Sequence, residues 1–210
     1  MSARLAWIPW VLAIVAAAAL AFAVGRFTMY SATGVPTPDA VDIGFARDMQ
    51  VHHEQAVQMA MIEYRRAQDD VVRSLAYDIA TTQAGQRGEM YDWLVQWGVP
   101  QSGRLMSWMS DSSGHDHGGA SATEADLRAA MGMATDAQVD ALSAASGTEA
   151  DCLFLELMIR HHEGALPMAR EAIDGASIPR VTQVAQTILT GQTAELDAMR
   201  SAQLRLGCTG

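Results

Sequence analysis

The chain has 210 residues, of which half are apolar, and a formal net charge of −10 that arises from 24 acidic residues against 14 arginines and no lysine. Such an acidic chain lacks the basic face that a nucleic-acid partner needs, and its charged fraction of 18% is too low for a disordered protein. All six histidines lie in three tight clusters, which is the first indication of a specific site.

The N-terminal segment from Trp7 to Val24 carries no charge and is just long enough, as a helix rising about 1.5 Å per residue, to cross a bilayer. We predict a transmembrane anchor or signal segment over residues 1–28 and a linker over 29–38. A single-pass anchor in the cell membrane is favoured because the apolar run is long for a signal peptide. The alternative is a secreted or periplasmic protein cleaved after a signal segment, with 21–23 as the small-residue cleavage site. In both cases the rest of the chain is expected outside the cytoplasm.

Residues 39–210 contain one unit twice, at a constant offset of 109 residues and without an insertion. Copy one spans 39–98 and copy two spans 148–207. Each copy predicts two long helices joined by a short loop, because strand and hairpin signals are nearly absent. Four such helices predict an all-α, antiparallel four-helix bundle.

The ends of these helices carry recognisable capping residues. In copy one, Thr37 is expected to cap the first helix with Pro38 at its first position, and the second helix is expected to start near Asp69. In copy two, Thr148 is expected to open the first helix and Ser177 to cap the second.

The segment between the copies, 101–147, has a different composition that is rich in Gly, Ser, Met and His. Two short helices are predicted in it, Glu124–Ala130 and Asp136–Ala144. A connection of this length inside a domain is usually functional or disordered, and we expect a flexible, acidic stretch that collects metal ions.

The two cysteines lie near the start of the third bundle helix (Cys152) and just past the end of the fourth (Cys208). These ends are neighbours in an antiparallel pair, so we predict a disulfide. Closing this loop should stabilise the fold by roughly 4 kcal/mol. A thiolate metal site is the alternative.

Histidines and methionines share one face of the first helix of each copy. In copy one that face carries Met49, His52 and Met59, with His53 at its flank. Copy two repeats the pattern, and the partner helices add one methionine each; these further residues are Met158, His161, His162, Met168, Met90 and Met199.

A single methionine or histidine on such a face is usually ordinary core. Here the same pair recurs among methionines in both copies, and a buried polar group without a partner costs about 1–3 kcal/mol. A bound metal ion would supply the missing partner, so we predict a metal site.

The donor types favour copper. Di-iron bundles use a Glu-x-x-His motif, whereas this chain has Met49-x-x-His52 and Met158-x-x-His161, with Gln83, Gln86, Gln192 and Glu195 on the partner helices. Thioethers and imidazoles together select Cu(I) above all, while imidazoles also accept Cu(II) or zinc. The connecting segment offers further donors, namely Met106, Met109, His115, His117, Met131 and Met133.

The motif Met49-x-x-His52-His53-Glu54, its duplicate in copy two and the sequence around Met131-Gly132-Met133 together resemble the bacterial domain-of-unknown-function 305 family. The resemblance extends from Asp42 to about Leu206. It implies a ferritin-like helical fold, export or membrane anchoring, and copper handling linked to copper tolerance. One departure is Pro167, which should kink the third bundle helix because proline removes a backbone donor.

The sequence therefore predicts an extracytoplasmic protein that buffers, carries or confers tolerance to copper, with a copper donor or acceptor protein as its macromolecular partner. We predict no enzyme activity, because no nucleophile with its base and no phosphate loop is recognisable. Glu54 and Glu163 are expected to orient the neighbouring histidines or to lie in solvent. The alternatives are a ferritin-like di-iron or copper oxidoreductase and a metal-free helical interaction module.

Overall fold

The computed structural model describes residues 7–32, 37–109 and 122–208. Within these ranges the chain forms helices and no strand, which confirms the predicted all-helical fold. In chain order the helices are α1 (Ile8–Ala32), α2 (Ala40–Arg66), α3 (Asp70–Gln96), α4 (Glu124–Ala130), α5 (Asp136–Ala144), α6 (Gly147–Gly175) and α7 (Pro179–Leu206). The chain divides into two compact units, Met1–Pro36 and Thr37–Gly210.

Helix α1 makes up the first unit. Its stretch Ile8–Arg26 is long and apolar enough to cross a membrane. Large apolar side chains such as Trp10, Leu12 and Phe22 are exposed on it, as expected of a helix whose surroundings are apolar. A signal segment and an anchor both have these properties.

Four long helices form the second unit as a bundle. Helix α2 packs on α3 and α6 packs on α7 within each copy, while α2 on α6 and α3 on α7 join the copies. Asp42, at the start of α2, reaches the turn that follows α6. Helices α2 and α6 are therefore antiparallel.

The first helix begins two residues later than the sequence suggested. Asp39, not Thr37, is the N-cap of α2: its carboxylate accepts the backbone N–H of Asp42, and the Asp42 carboxylate accepts the N–H of Asp39. A reciprocal capping box satisfies two helix-end donors at once, so it prevails over a single Thr hydroxyl. Helix α3 starts where the sequence predicted, and Asp69 is its N-cap.

Each copy contributes a buried carboxylate that accepts hydrogen bonds from the turn between the two helices of the other copy. Oδ1 of the buried Asp42 accepts the backbone N–H of Ile178, and its Oδ2 accepts the hydroxyl of Ser177 at 2.5 Å. At the equivalent position, the buried Asp151 accepts the backbone N–H groups of Gln68 and Asp69 at 3.0 and 3.1 Å. Each copy thereby closes the helix-to-helix turn of the other copy.

This exchange accounts for two incorrect predictions about caps. Ser177 does not cap α7, whose N-cap is Ile178, because its hydroxyl is used by Asp42. Helix α6 starts at Gly147, before Thr148, and its N-cap Ser146 makes no side-chain capping bond.

Parts of the connecting segment pack firmly on the bundle. Asp48 on α2 accepts the backbone N–H of Met106 and the indole N–H of Trp108 at 2.6 and 2.8 Å. Trp108 lies against Gly44, where a Cβ would overlap the indole. Burial raises the pKa of Asp48 to about 6 despite these two hydrogen bonds. Helices α4 and α5 form at the predicted residues.

Cys152 and Cys208 are joined by a disulfide, with their Cα atoms 5.5 Å apart. It links the second turn of α6 to Cys208, two residues past the end of α7. Both sulfurs are thereby used, which excludes the alternative of a thiolate metal site.

Replacement of Asp42 tests the exchanged carboxylates. Asp42→Ala should lower the free energy of unfolding by about 2–4 kcal/mol, because buried donors in the turn after α6 lose their acceptor. Asp140→Ala on the exposed face of α5 is the control and should change it by less than about 0.5 kcal/mol. Urea denaturation of the full chain in detergent measures both, and equal midpoints would contradict the assigned role.

A buried carboxyl group should give the stability a distinct pH dependence. Burial, followed by the neighbouring Asp151 carboxyl, raises the pKa of Glu63 from 4.5 to about 8, and Arg66 offsets only part of this. Between these two pH values the folded chain keeps a proton that the unfolded chain has lost. This contribution to stability is therefore complete below about pH 4.5 and is lost as pH rises to about 8.

Glu63→Gln should remove that dependence because an amide does not titrate. The free energy of unfolding of the variant, minus that of the wild type, should increase from pH 5 to pH 8. The exposed Glu156→Gln serves as the control. A Glu63→Gln difference that is the same at every pH would contradict the assignment.

Candidate metal centre

Two consecutive histidines lie in the middle of each first helix, and all four are fully buried. Because neighbouring residues on a helix point about 100° apart, one histidine of each pair faces the other copy and the second faces its own partner helix. His52 and His161 stack on each other, with ring centroids 3.6 Å apart and planes inclined by 29°. His53 faces α3 and His162 faces α7.

Three of the four rings are held by their Nε2 atom. His52 donates to the backbone carbonyl of Met131 at 3.0 Å, and His53 donates to Oε1 of Gln86 at 2.8 Å. His162 donates to Oε2 of Glu195 at 2.7 Å. Carbonyl and carboxylate oxygens only accept hydrogen bonds, so Nε2 carries the proton in each of these rings.

Among the described residues, the opposite ring nitrogens have no hydrogen-bond partner. Nδ1 of His52, His53 and His162 is buried without a hydrogen bond, and so are both ring nitrogens of His161. In the three oriented rings the bare Nδ1 is a lone-pair donor. The layer therefore presents unused imidazole donors in the interior of the bundle.

Burial keeps the rings of His52, His53 and His161 neutral. Desolvation, with a smaller contribution from neighbouring imidazoles, lowers the pKa of His52 to about 3 and that of His161 well below its usual value. Desolvation also lowers the pKa of His53 to about 4, and the hydrogen bond that His53 donates to Gln86 opposes this in part. A neutral imidazole is the form that binds a metal ion.

The six predicted bundle methionines are all buried, but they form two separate groups on either side of the histidine layer. One apolar cluster contains Met49, Met90 and Met168, and the other contains Met59, Met158 and Met199. Each group takes two residues from one copy and one from the other, because α2 and α6 run antiparallel.

Each copy also buries a glutamine that has no partner. Gln83 on α3 and Gln192 on α7 occupy equivalent positions, one turn before the residues that hold His53 and His162. Both are nearly inaccessible, and neither the oxygen nor the nitrogen of either amide is hydrogen-bonded. The sequence identified these residues only as neighbours of the site, since burial without a partner has no sequence signal.

Within residues 7–32, 37–109 and 122–208, no three His, Cys, Asp or Glu side chains converge as a metal-binding group. A coordination sphere built from these residues would have to combine imidazoles with other donors, such as the thioethers or the unpartnered amides.

The connecting segment is not loose where the structure describes it. Met106, Met131 and Met133 are buried in the cluster that contains Met49, and Met109 packs against it. His115 and His117 lie outside the described residues. The expectation of a flexible stretch is thus incorrect for the packed parts of 101–109 and 122–144, while metal binding by their methionines stays a prediction.

Two contacts explain why this segment is fixed. Gln55 on α2 makes paired hydrogen bonds to the backbone N–H and carbonyl of Ala134, at 2.7 and 2.8 Å. Gly132 has φ = 71°, and a Cβ on it would overlap the carbonyl of Arg160 on α6. A Cβ on Gly164 would in turn overlap the Met131 carbonyl.

The sequence did not identify the Met131 carbonyl as a partner for His52, because any residue type could provide it.

The glutamate that follows each histidine pair faces solvent. Glu54 pairs with Arg87 at 3.2 Å and Glu163 pairs with Arg200 at 2.6 Å, and all four side chains are substantially exposed. Of the two roles considered for Glu54 and Glu163, orienting the rings belongs instead to Gln86 and Glu195. Helix α6 continues as one helix through Pro167.

The sequence and the fold match known proteins of one family. The model of a domain of unknown function (DUF305) matches residues 42–203, which confirms the resemblance found in the sequence. No curated protein matches the chain.

Solved structures of similar proteins support the same assignment. A DUF305 protein from Streptomyces coelicolor, named as a secreted protein, is 36% identical with a TM-score of 0.69 over 80% of this chain and 95% of its own. A DUF305 fragment from Deinococcus radiodurans is 32% identical with a TM-score of 0.66 over 81% and 99%. CopM in its Cu(II)-bound form is 25% identical with a TM-score of 0.58 over 78% and 96%, and CopM is also known in Cu(I)- and Ag-bound forms.

Gly164 tests the packing of the connecting segment on α6. Gly164→Ala should lower the free energy of unfolding by about 1–3 kcal/mol, because the new methyl group displaces the backbone at Met131. Gly191→Ala, at a helical position on α7 with open space around it, should instead raise it by about 0.5–1 kcal/mol. Thermal unfolding followed by circular dichroism compares the two variants. A stabilising Gly164→Ala would show that the segment is not seated on α6.

Proposed function

Because the chain belongs to the DUF305 family, we propose that it is an extracytoplasmic copper-binding protein that buffers or carries the ion. One observation carries the proposal: four buried imidazoles share one layer, and their Nδ1 atoms have no partner in the described structure. Copper is the cargo of the protein in this proposal.

The chemistry of the layer fits a metal ion. Leaving buried polar atoms unpaired costs about 1–3 kcal/mol each, so the layer is unfavourable without an occupant. Histidines that bind metals usually donate their other ring N–H to a carboxylate or a carbonyl, which fixes the ring and its tautomer. His52, His53 and His162 have that arrangement, with Nδ1 as the free donor.

The neighbouring sulfur atoms favour copper over other metals. A group of three methionines flanks the histidine layer on each side, and thioethers with imidazoles suit Cu(I), while the imidazoles also accept Cu(II) or zinc. The Cu(I)-, Cu(II)- and Ag-bound forms of CopM support a copper ligand. The proposed ligands are the four histidines and six methionines of the bundle, with further donors from the connecting segment.

The proposed location is outside the cytoplasm, with α1 as a single-pass anchor or as a cleaved signal segment. The disulfide between Cys152 and Cys208 fits an oxidising compartment, and a similar protein is named as secreted. A copper donor or acceptor protein is the proposed partner.

Competition for Cu(I) tests the proposal. The full chain in detergent, with its disulfide intact, should retain Cu(I) against bicinchoninate under anaerobic conditions, as measured by the colour of the chelator complex and by elemental analysis. Replacement of the six bundle methionines by leucine keeps the core volume nearly unchanged. It should lower the affinity for Cu(I) at least tenfold, whereas zinc binding should change little because zinc does not need thioethers.

Two controls complete this test. Met61→Leu, at a half-buried position outside the two methionine groups, should leave Cu(I) affinity unchanged. His115→Ala with His117→Ala separates the contribution of the connecting segment from that of the bundle. Failure of the wild-type chain to hold Cu(I), or an unchanged affinity in the six-leucine variant, would reject the proposed site.

A further inference from the structure

The two copies differ at the residue that holds the second histidine of each pair. His53 donates to the Gln86 amide, and His162 donates to the Glu195 carboxylate, at almost the same distance. Gln86 and Glu195 are equivalent under the 109-residue offset, and so are the two histidines. The fold thus places a neutral acceptor in one half and a charged acceptor in the other.

The charge of Glu195 is not cancelled by an arginine in the described part of the chain, where the carboxylate accepts the Nε2–H of His162. The charges next to the two histidine pairs do cancel, since Glu54 pairs with Arg87 and Glu163 with Arg200. The half that contains His162 therefore carries one more negative charge near its imidazole than the half that contains His53.

A carboxylate behind an imidazole changes what the ring binds. A charge-assisted hydrogen bond to Nε2–H increases electron density at Nδ1 and makes it a stronger donor. The carboxylate also attracts a bound cation in proportion to the charge of that cation. Both effects favour a doubly charged ion over a singly charged one.

On the premise of the proposed copper site, we propose that Glu195 makes the half-site of His162 selective for Cu(II), while the half-site of His53, backed by Gln86, is selective for Cu(I). Glu195 is a positioning residue in this arrangement: it acts through the ring of His162 and does not contact the ion. The protein then holds both oxidation states of copper in two halves of one duplicated fold.

An exchange of the two acceptors tests this inference. Glu195→Gln and Gln86→Glu are nearly isosteric, and the double variant places the carboxylate in the other half. Affinity of the full chain for Cu(II) is measured by titration against a competing amino-acid chelator such as glycine, and affinity for Cu(I) by competition with bicinchoninate, at one fixed pH. Circular dichroism verifies that each variant is folded.

Glu195→Gln should weaken Cu(II) binding by about 10- to 100-fold, the usual effect of losing a partner of a metal-bound histidine. Cu(I) binding should weaken by only about 3- to 10-fold, because the electrostatic part of the free energy scales with the charge of the ion. The double variant should recover the preference for Cu(II). Glu163→Gln, which removes an exposed carboxylate one residue from His162, should leave the ratio of the two affinities unchanged.

The outcomes separate this inference from the proposed function. A wild-type chain that binds neither copper ion overturns both. Copper binding whose Cu(II)-to-Cu(I) affinity ratio is the same in Glu195→Gln and wild type overturns only the selectivity. An equal change in Glu163→Gln would assign the effect to surface charge, and a double variant that does not recover would assign it to local packing; either result overturns the inference.

Discussion

The rest of the structure depends on the burial of four imidazoles in an otherwise apolar bundle. Three of the rings are held by hydrogen bonds to α3, to α7 and to the backbone between α4 and α5, while both ring nitrogens of the fourth, His161, have no partner among the described residues. The helices are held in a register that stacks His52 on His161 and directs the other two rings toward their own partner helices. Each of these hydrogen bonds is donated by Nε2–H. Nδ1, on the other side of each oriented ring, therefore has no partner among the described residues.

Duplication explains why the interactions between the halves occur in pairs. The antiparallel arrangement of α2 and α6 exchanges the carboxylates of Asp42 and Asp151 and divides the six methionines into two groups of mixed origin. Neither copy completes its own turn or its own sulfur cluster, so an isolated copy would leave buried donors and apolar surface exposed. Differences between the copies, such as Gln86 against Glu195, then stand out because the surrounding framework is the same.

Sequence patterns predicted most of the helices and the inward-facing residues, because hydrophobic periodicity and a long ungapped repeat are strong signals. The cap at Thr37 was assigned incorrectly because the Asp39–Asp42 capping box two residues later satisfies two helix-end donors. The cap at Ser177 was assigned incorrectly because its hydroxyl is engaged by Asp42 of the other copy, a contact that only the fold reveals. The division of the six methionines into two groups could not be predicted without knowing that α6 runs antiparallel to α2. The packing of the connecting segment on α6 depends on backbone carbonyls and on the absence of a side chain at Gly164. Neither feature gives a recognisable sequence signal.

The disulfide gives the two halves unequal freedom to open. It links the ends of the α6–α7 pair, and no equivalent bridge exists in copy one because neither cysteine is duplicated there. Transient separation of helices costs less where no covalent link restricts it. Backbone hydrogen exchange should therefore be faster in the α2–α3 hairpin than in the disulfide-linked α6–α7 hairpin.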